Sequence, residues 1–210
     1  MIGKIYVTGN RCDPVEGTHL KDPYLGVNPS LGGCRPDIRK QVQKGDHIFA
    51  VSSKLRGIAQ VVLGGFEVAE KISVKEAYER FPEQRLRRLP DGQLTGNVIA
   101  NADGKQHEFD HHDKSTFDRR VENYIVGINP IALVTLEEIT EGRARTLEIL
   151  RDVFGIKGDS IRELMGRGRN LSDKQIEKLR VHLEAVKKAV RQPQLTEVQK
   201  KVSEVAVLTM

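Results

Sequence analysis

Apolar and polar positions follow a strand period through the first two thirds of the chain and a helical period after it. Residues 4–8 (KIYVT) are β-branched and aromatic, which predicts a strand. Residues 47–52 (HIFAVS) form a continuous apolar run opened by the turn Lys44-Gly45-Asp46, which predicts a buried strand. Residues 57–72 predict further strand, with a bulge or turn at Gly64-Gly65. Residues 97–100 and 124–128 add two more strands, and 132–136 a candidate third. Short helices are predicted at 36–42, with Pro36 in the first turn, and at 74–81, where Ser73 and Glu76 spell a capping box. Residues 106–120 are polar and His-rich and read as loop with a short helix.

The period changes after about residue 139. Leu147, Leu150, Val153 and Phe154 recur at helical spacing. A short helix follows at 160–165. Ser172 and Gln175 then cap a helix with the apolar stripe Ile176, Leu179, Leu183 and Val186, and Pro193 predicts its end. A last helix is predicted at 196–207. The switch implies an α/β (α+β) protein: a curved mixed sheet or barrel-like body over residues 1–138, with short helices, and a C-terminal helical subdomain over residues 139–210.

Composition narrows the classes. The chain's 210 residues can bury a core without staples. Hydrophobic residues at 38% and charged residues at 30% describe a globular chain, not a disordered one. With no Trp, stacking would rest on single residues such as Tyr6, Tyr24 or Phe49. The net charge of +5 favours an anionic partner, because clustered Lys and Arg gain affinity from counterion release on phosphates. Cys12 and Cys34 are too few for a tetrahedral thiolate metal site. The first ten residues are too short and polar for a signal peptide, and no apolar run approaches the roughly 20 residues of a membrane span. These features predict a cytoplasmic protein that does not engage a membrane. No Gly-rich nucleotide-cofactor fingerprint follows a strand, so no cofactor is expected and a base-modifying transferase is disfavoured.

Residues 9–33 show no period, and structureless loops of that length are uncommon unless functional. Residues 22–40 (DPYLGVNPSLGGCRPDIRK) gather Asp22, Asn28, Gly32, Gly33, Cys34, Arg35 and Arg39. The glycines let backbone N–H groups approach a ligand closely. Arg35 and Arg39, four apart around a helix start, suit a clamp on phosphate or base edges. Turn residues and surface cations have the same composition, so chemistry alone leaves both readings open. Cys34 reads as packing rather than as a nucleophile, and Asp46 as a turn-former. His107, Asp110, His111, His112 and Asp113 are dense enough for a divalent metal, but His107 and His111 share a face only on a helix, no His-Glu-x-x-His run is present, and Gly104 with the polar flanks reads as a solvated loop, so no metal is expected. Two basic patches stand out: Gly166-Arg167-Gly168-Arg169 ahead of the Ser172 cap, and residues 84–88 with Arg87 and Arg88. Each suits phosphates or a solvated face.

The loop also carries a resemblance. Asp22, Asn28-Pro29, Leu31, Cys34-Arg35-Pro36-Asp37-Ile38-Arg39 and then Lys44-Gly45-Asp46 before an apolar strand resemble the signature of the nucleotide-modification-associated domain family. Asn123-Tyr124-Ile125-Val126-Gly127 resembles a strand of that family. Arg35 stands for a usual Lys, Gly32 for a usual Ala, and the link from Pro29 to Leu31 is short. The resemblance spans residues 1–138 and implies association with modified bases in DNA, in conflict between phage and host, with DNA glycosylase activity in some members. Such a protein takes the target base out of the stack into a pocket. The resemblance then implies that Asp22 stabilises an oxocarbenium-like state or aligns water. Asn28 would hydrogen-bond the base, and Arg39, with Arg35 beside it, would hold a phosphate or the leaving base. Tyr6 and Tyr24 would stack on the base. The resemblance leaves the helical tail unexplained; from their charge alone, Arg167, Arg169, Arg87 and Arg88 are the candidates for contact with the DNA backbone, against a solvated face. A non-catalytic reader of modified DNA would use the same pocket without hydrolysis.

Overall fold

In the computed structural model, residues 2–9, 13–16 and 22–208 are described, with side chains up to residue 192. The apolar run at 47–51 forms β3 (His47–Val51), which is buried at every position, as befits a central strand. It pairs in parallel with β1 (Gly3–Val7) and antiparallel with β4 (Val62–Ile72). β4 pairs antiparallel with β7 (Tyr124–Ala132), and β7 pairs with the two-residue β2 (Ser30–Leu31). A further edge strand, β8 (Gly168–Leu171), lies antiparallel to β1. The sheet order is β2-β7-β4-β3-β1-β8, curled into a half-barrel of mixed direction. A separate hairpin joins β5 (Arg87–Arg88) to β6 (Leu94–Thr95).

The curl has a local cause at the expected glycine pair. Gly64 sits at φ +137, and a Cβ there would stand 2.1 Å from the Ile131 carbonyl oxygen. Only glycine lets β7 pass that closely, and the ladder register shifts on both sides of the pair.

Alternation along the strands divides the coverage of the two faces. On one face lie Gly3, Ile5, His47 and Phe49, covered by helices from the second half of the chain. A Cβ on Gly3 would meet Leu171 and Ile176. Helix α4 (Leu136–Phe154) reaches the same face, where the Thr146 hydroxyl accepts the Val62 N–H at 3.0 Å. Helix α5 (Ile161–Met165) and helix α6 (Asp173–Leu208) complete that layer. The stripe Ile176, Leu179, Leu183 and Val186 is buried as expected, each side chain worth about 1.5–3 kcal/mol of transfer from water. The opposite face carries Lys4 and Tyr6. Helix α1 (Pro36–Gln41) and the loop before it cover this side, with Lys4 Nζ bonded to Gln41 and Arg35 lying over Tyr6. Helix α2 (Val74–Arg80) packs on the β7 side in a smaller apolar cluster built on Ile72, Ala77, Val98 and Tyr124, and helix α3 (Phe117–Val121) leads into β7.

The mixed, curved sheet is as the periodicity predicts; three local expectations are corrected. α4 begins at Leu136 because Thr135 and Glu138 form a full capping box, so 132–136 is strand end and cap instead of a separate strand. The Gly-Arg-Gly segment, for which no element is predicted, fills the open edge of β1 with its backbone as β8. Residues 97–100 make only isolated bridges. α6 runs past Pro193, where a stop was expected, since a proline removes one helical hydrogen bond without always ending the helix. The expected boundary at 138/139 falls in the first turn of α4. Residues from α4, α5 and α6 share one apolar core with the sheet. Among the described residues, no helix is long and apolar enough to cross a membrane.

Candidate functional site

The loop from Asp22 to Arg35 folds over the face that carries Tyr6, and its shape is set by hydrogen bonds to one carboxylate. Asp22 Oδ1 accepts the Gly32 N–H at 2.7 Å, and Oδ2 accepts the Cys34 N–H. Asn97, 2% exposed, reaches Asp22 Oδ1 with its amide at 3.4 Å and donates to Ser30 Oγ at 2.9 Å. Its own oxygen accepts the Tyr124 hydroxyl at 2.7 Å. Gly32 must be glycine here, since a Cβ would stand 2.2 Å from the Asn97 carbonyl oxygen. Asp22, Ser30, Asn97 and Tyr124 therefore form one connected polar layer.

Arg39 closes the base of this layer and is fully buried. Its guanidinium donates to five backbone carbonyls: Gly33, Cys34, Arg120, Glu122 and Asn123. It thereby ties the loop to the segment entering β7. Every N–H is committed, so the expectation that Arg39 holds a phosphate or a leaving base is corrected. It is a structural pin.

Tyr6 behaves differently. It is 1% exposed, and its hydroxyl has no hydrogen-bond partner among the described residues. Burial, then the Asp22 and Cys34 charges, push its pKa well above the ordinary value, so the phenol stays a proton donor. Burial also raises the Asp22 carboxyl, against the opposing pull of the Cys34 and Gly32 N–H groups and of Arg39. The Cys34 thiol is pushed up by burial and by Asp22, so it stays protonated and inert at neutral pH. Arg35 lies with its guanidinium 4.9 Å from the Tyr6 ring centre and grips Asp37 through two bonds of 3.0 and 2.7 Å. Its backbone is left-handed, at φ 50, which costs a non-glycine residue free energy and recurs at functional sites.

The other expected site residues are dispersed. Tyr6 is no open stacking surface, because Arg35 covers its ring. Tyr24 bridges Ser30, and its ring folds over Gly26, where a Cβ would lie 2.3 Å from the phenol oxygen. Asn28 is exposed and donates to Glu83 at 3.2 Å. Arg87 bonds the Glu83 carbonyl, while Arg88 bonds Gly92 and lies over Phe109. Arg169 folds back onto Phe154 and the Leu164 carbonyl. Arg167 is exposed, and its carbonyl accepts the Val7 N–H at the end of β1. The His-rich segment is irregular, with His112 Nδ1 2.5 Å from Asp110 and Gln106 on the other carboxylate oxygen.

Because β1 and β3 are parallel, both finish at one end of the sheet, beside Tyr6. Lys54 and Arg56 are exposed there, in a turn closed by the Leu55–Ile58 bridge with Gly57 at φ +77. Arg167 stands at the same end. Sequence reasoning missed Lys54 and Arg56, although a basic pair before a glycine at a strand end was a readable signal. It also missed Ser30, Asn97 and Tyr124, for which no local signal exists: Asn97 meets Asp22 across 75 residues of chain. No family model, curated protein or solved structure matches the chain.

Proposed function

We propose that the chain recognises a modified nucleobase in DNA, extruded from the stack and read at the end of the sheet where β1 and β3 finish. The observation that carries this reading is the orphan hydroxyl of Tyr6. A buried hydroxyl without a partner costs about 1–3 kcal/mol, and a polar ligand group would recover that cost on binding. The Asp22 carboxylate lies close enough to push the Tyr6 pKa up and offers an acceptor near the Tyr6 donor, the pair needed to read a base edge. Arg35 is the cover. Its side chain is 30% exposed and held by Asp37, so it can swing from the Tyr6 ring as a base enters. Lys54, Arg56 and Arg167 supply phosphate contacts around that end.

Excision of the base is a second reading, favoured by the fixed orientation of Asp22. A carboxylate held by two backbone N–H groups is preorganised to face a developing oxocarbenium charge.

One experiment addresses both. Duplexes bearing hydroxymethylated or glucosylated cytosine are compared with unmodified duplexes for affinity, then treated with hot alkali. Tighter binding of modified DNA is the expected result, and equal affinity for both overturns recognition. Strand breaks that vanish in Asp22→Asn support excision; binding without breaks leaves the reader alone. Replacing Lys54, Arg56 and Arg167 by Ala lowers the salt slope of binding by about one per lost phosphate contact.

A further inference from the structure

The helix-covered face holds a second cleft that shares no residue with the site above. Its volume is about 560 Å³, within the usual range for small-molecule sites. His47, Glu67, Asp173, Glu177 and Arg180 supply its charged and polar walls, and Ile176 and Pro130 its apolar ones. Glu67 and Glu177 bring two carboxylates to one guanidinium there, on a chain whose formal charge is +5.

The second observation is His47. It is 7% exposed, and its Nδ1 has no hydrogen-bond partner among the described residues. Its register places it opposite Gly3, on the face where Ile176 of α6 packs, so the ring is directed at the cleft between sheet and helix. Burial and the nearby Arg180 lower its pKa, against weaker upward pulls from Glu67, Asp46 and the Gly45 backbone, which leaves a neutral imidazole at neutral pH. The carboxylates differ in what they already hold. Glu67 Oε2 accepts the Asn129 amide at 2.9 Å, and Oε1 makes no hydrogen bond with the described residues. Glu177 makes no hydrogen bond or ion pair with the described residues. Arg180 is turned to the Asn129 carbonyl at 3.3 Å. Asn129 itself is left-handed, at φ 50, which brings its amide and its carbonyl to the rim together.

We infer that this cleft binds a small aliphatic cation carrying amine or guanidinium groups. The cationic heads meet Glu67 Oε1 and Glu177, one N–H bonds the free His47 nitrogen, and the methylene spacer lies on Ile176 and Pro130. Charge-assisted bonds to carboxylates are the strong kind, and the apolar wall suits a methylene chain.

The test is titration of the full chain with agmatine, followed by calorimetry and by the His47 imidazole resonances. Saturable one-site binding that shifts His47 is expected, weakened about ten-fold or more in a Glu67→Gln/Glu177→Gln variant. The Lys54→Ala/Arg56→Ala variant is expected to bind agmatine as the parent does. Absence of saturation up to about 10 mM, a range that captures even weak millimolar ligands, overturns the inference. Unchanged affinity in the carboxylate variant overturns it too. Glu177→Gln alone, an exposed change with no bond to lose, serves if the double variant misfolds: it must weaken binding, and the inference fails if it does not.

Discussion

The two faces of the sheet are buried by different means. Under α4 and α6 the chain buries Leu, Ile and Val, and the stability there is that of apolar surface removed from water. Under the loop and α1 it buries Asp22, Asn97, Tyr124 and Arg39, and the stability there depends on each polar group finding a partner. On that face, two buried polar side chains have opposite fates. Arg39 donates to five carbonyls, whereas the Tyr6 hydroxyl meets none. A satisfied buried group holds structure together, and an orphaned one marks a place where a ligand can add a bond. That contrast moves the functional weight from Arg39 to Tyr6.

The contrast can be broken from its strongest point downward. Arg39→Met strands carbonyls from two distant segments and is expected to cost about 3–5 kcal/mol in urea unfolding, enough to threaten folding. A small loss would mean that the pin is dispensable. Leu183→Ala on the helix side is expected to cost about 2–5 kcal/mol through a cavity. Because both faces share one core, each variant is expected to unfold in a single cooperative transition; two separated transitions would restore an independent helical subdomain.

Asp22→Asn is expected to cost about 1 kcal/mol at neutral pH through weakened loop bonds. Its pH dependence has a definite sign. The folded carboxyl titrates above the ordinary value of 3.8, so the folded state keeps the proton to higher pH than the unfolded chain. The stability from this shift is full below about pH 3.8 and is lost as pH rises through the folded pKa. The advantage of the parent over Asp22→Asn is therefore largest in acid and shrinks toward neutrality, as urea titrations across that window would read. A gap that widens with pH contradicts the assignment. Tyr6→Phe is expected to lose no stability and to gain about 1 kcal/mol, the lower end of the cost of a buried hydroxyl that bonds nothing among the described residues.

Much of this was legible along the chain, for physical reasons that also mark the limit. β1, β3 and α2 follow from period and capping, which are local. β8 was not legible, because Gly-Arg-Asn has no apolar alternation and forms a strand only by pairing with β1. The α4 start was readable as Thr135-x-x-Glu138 but hidden in an apolar run. The loop 22–39 stood out by composition. What each residue does there depended on non-local partners: Arg39 is buried by carbonyls at 120–123, and Asp22 is completed by Asn97. An exposed clamp and a buried pin have the same sequence.

The most direct test of the central claim is the preference of Tyr6→Phe for modified over unmodified cytosine in duplex DNA, measured beside its melting temperature. The account predicts that the parent prefers modified DNA and that the variant loses roughly ten-fold of that preference, the worth of one buried hydrogen bond, with no loss of stability. A variant that keeps the full preference, or a parent that has none, contradicts it.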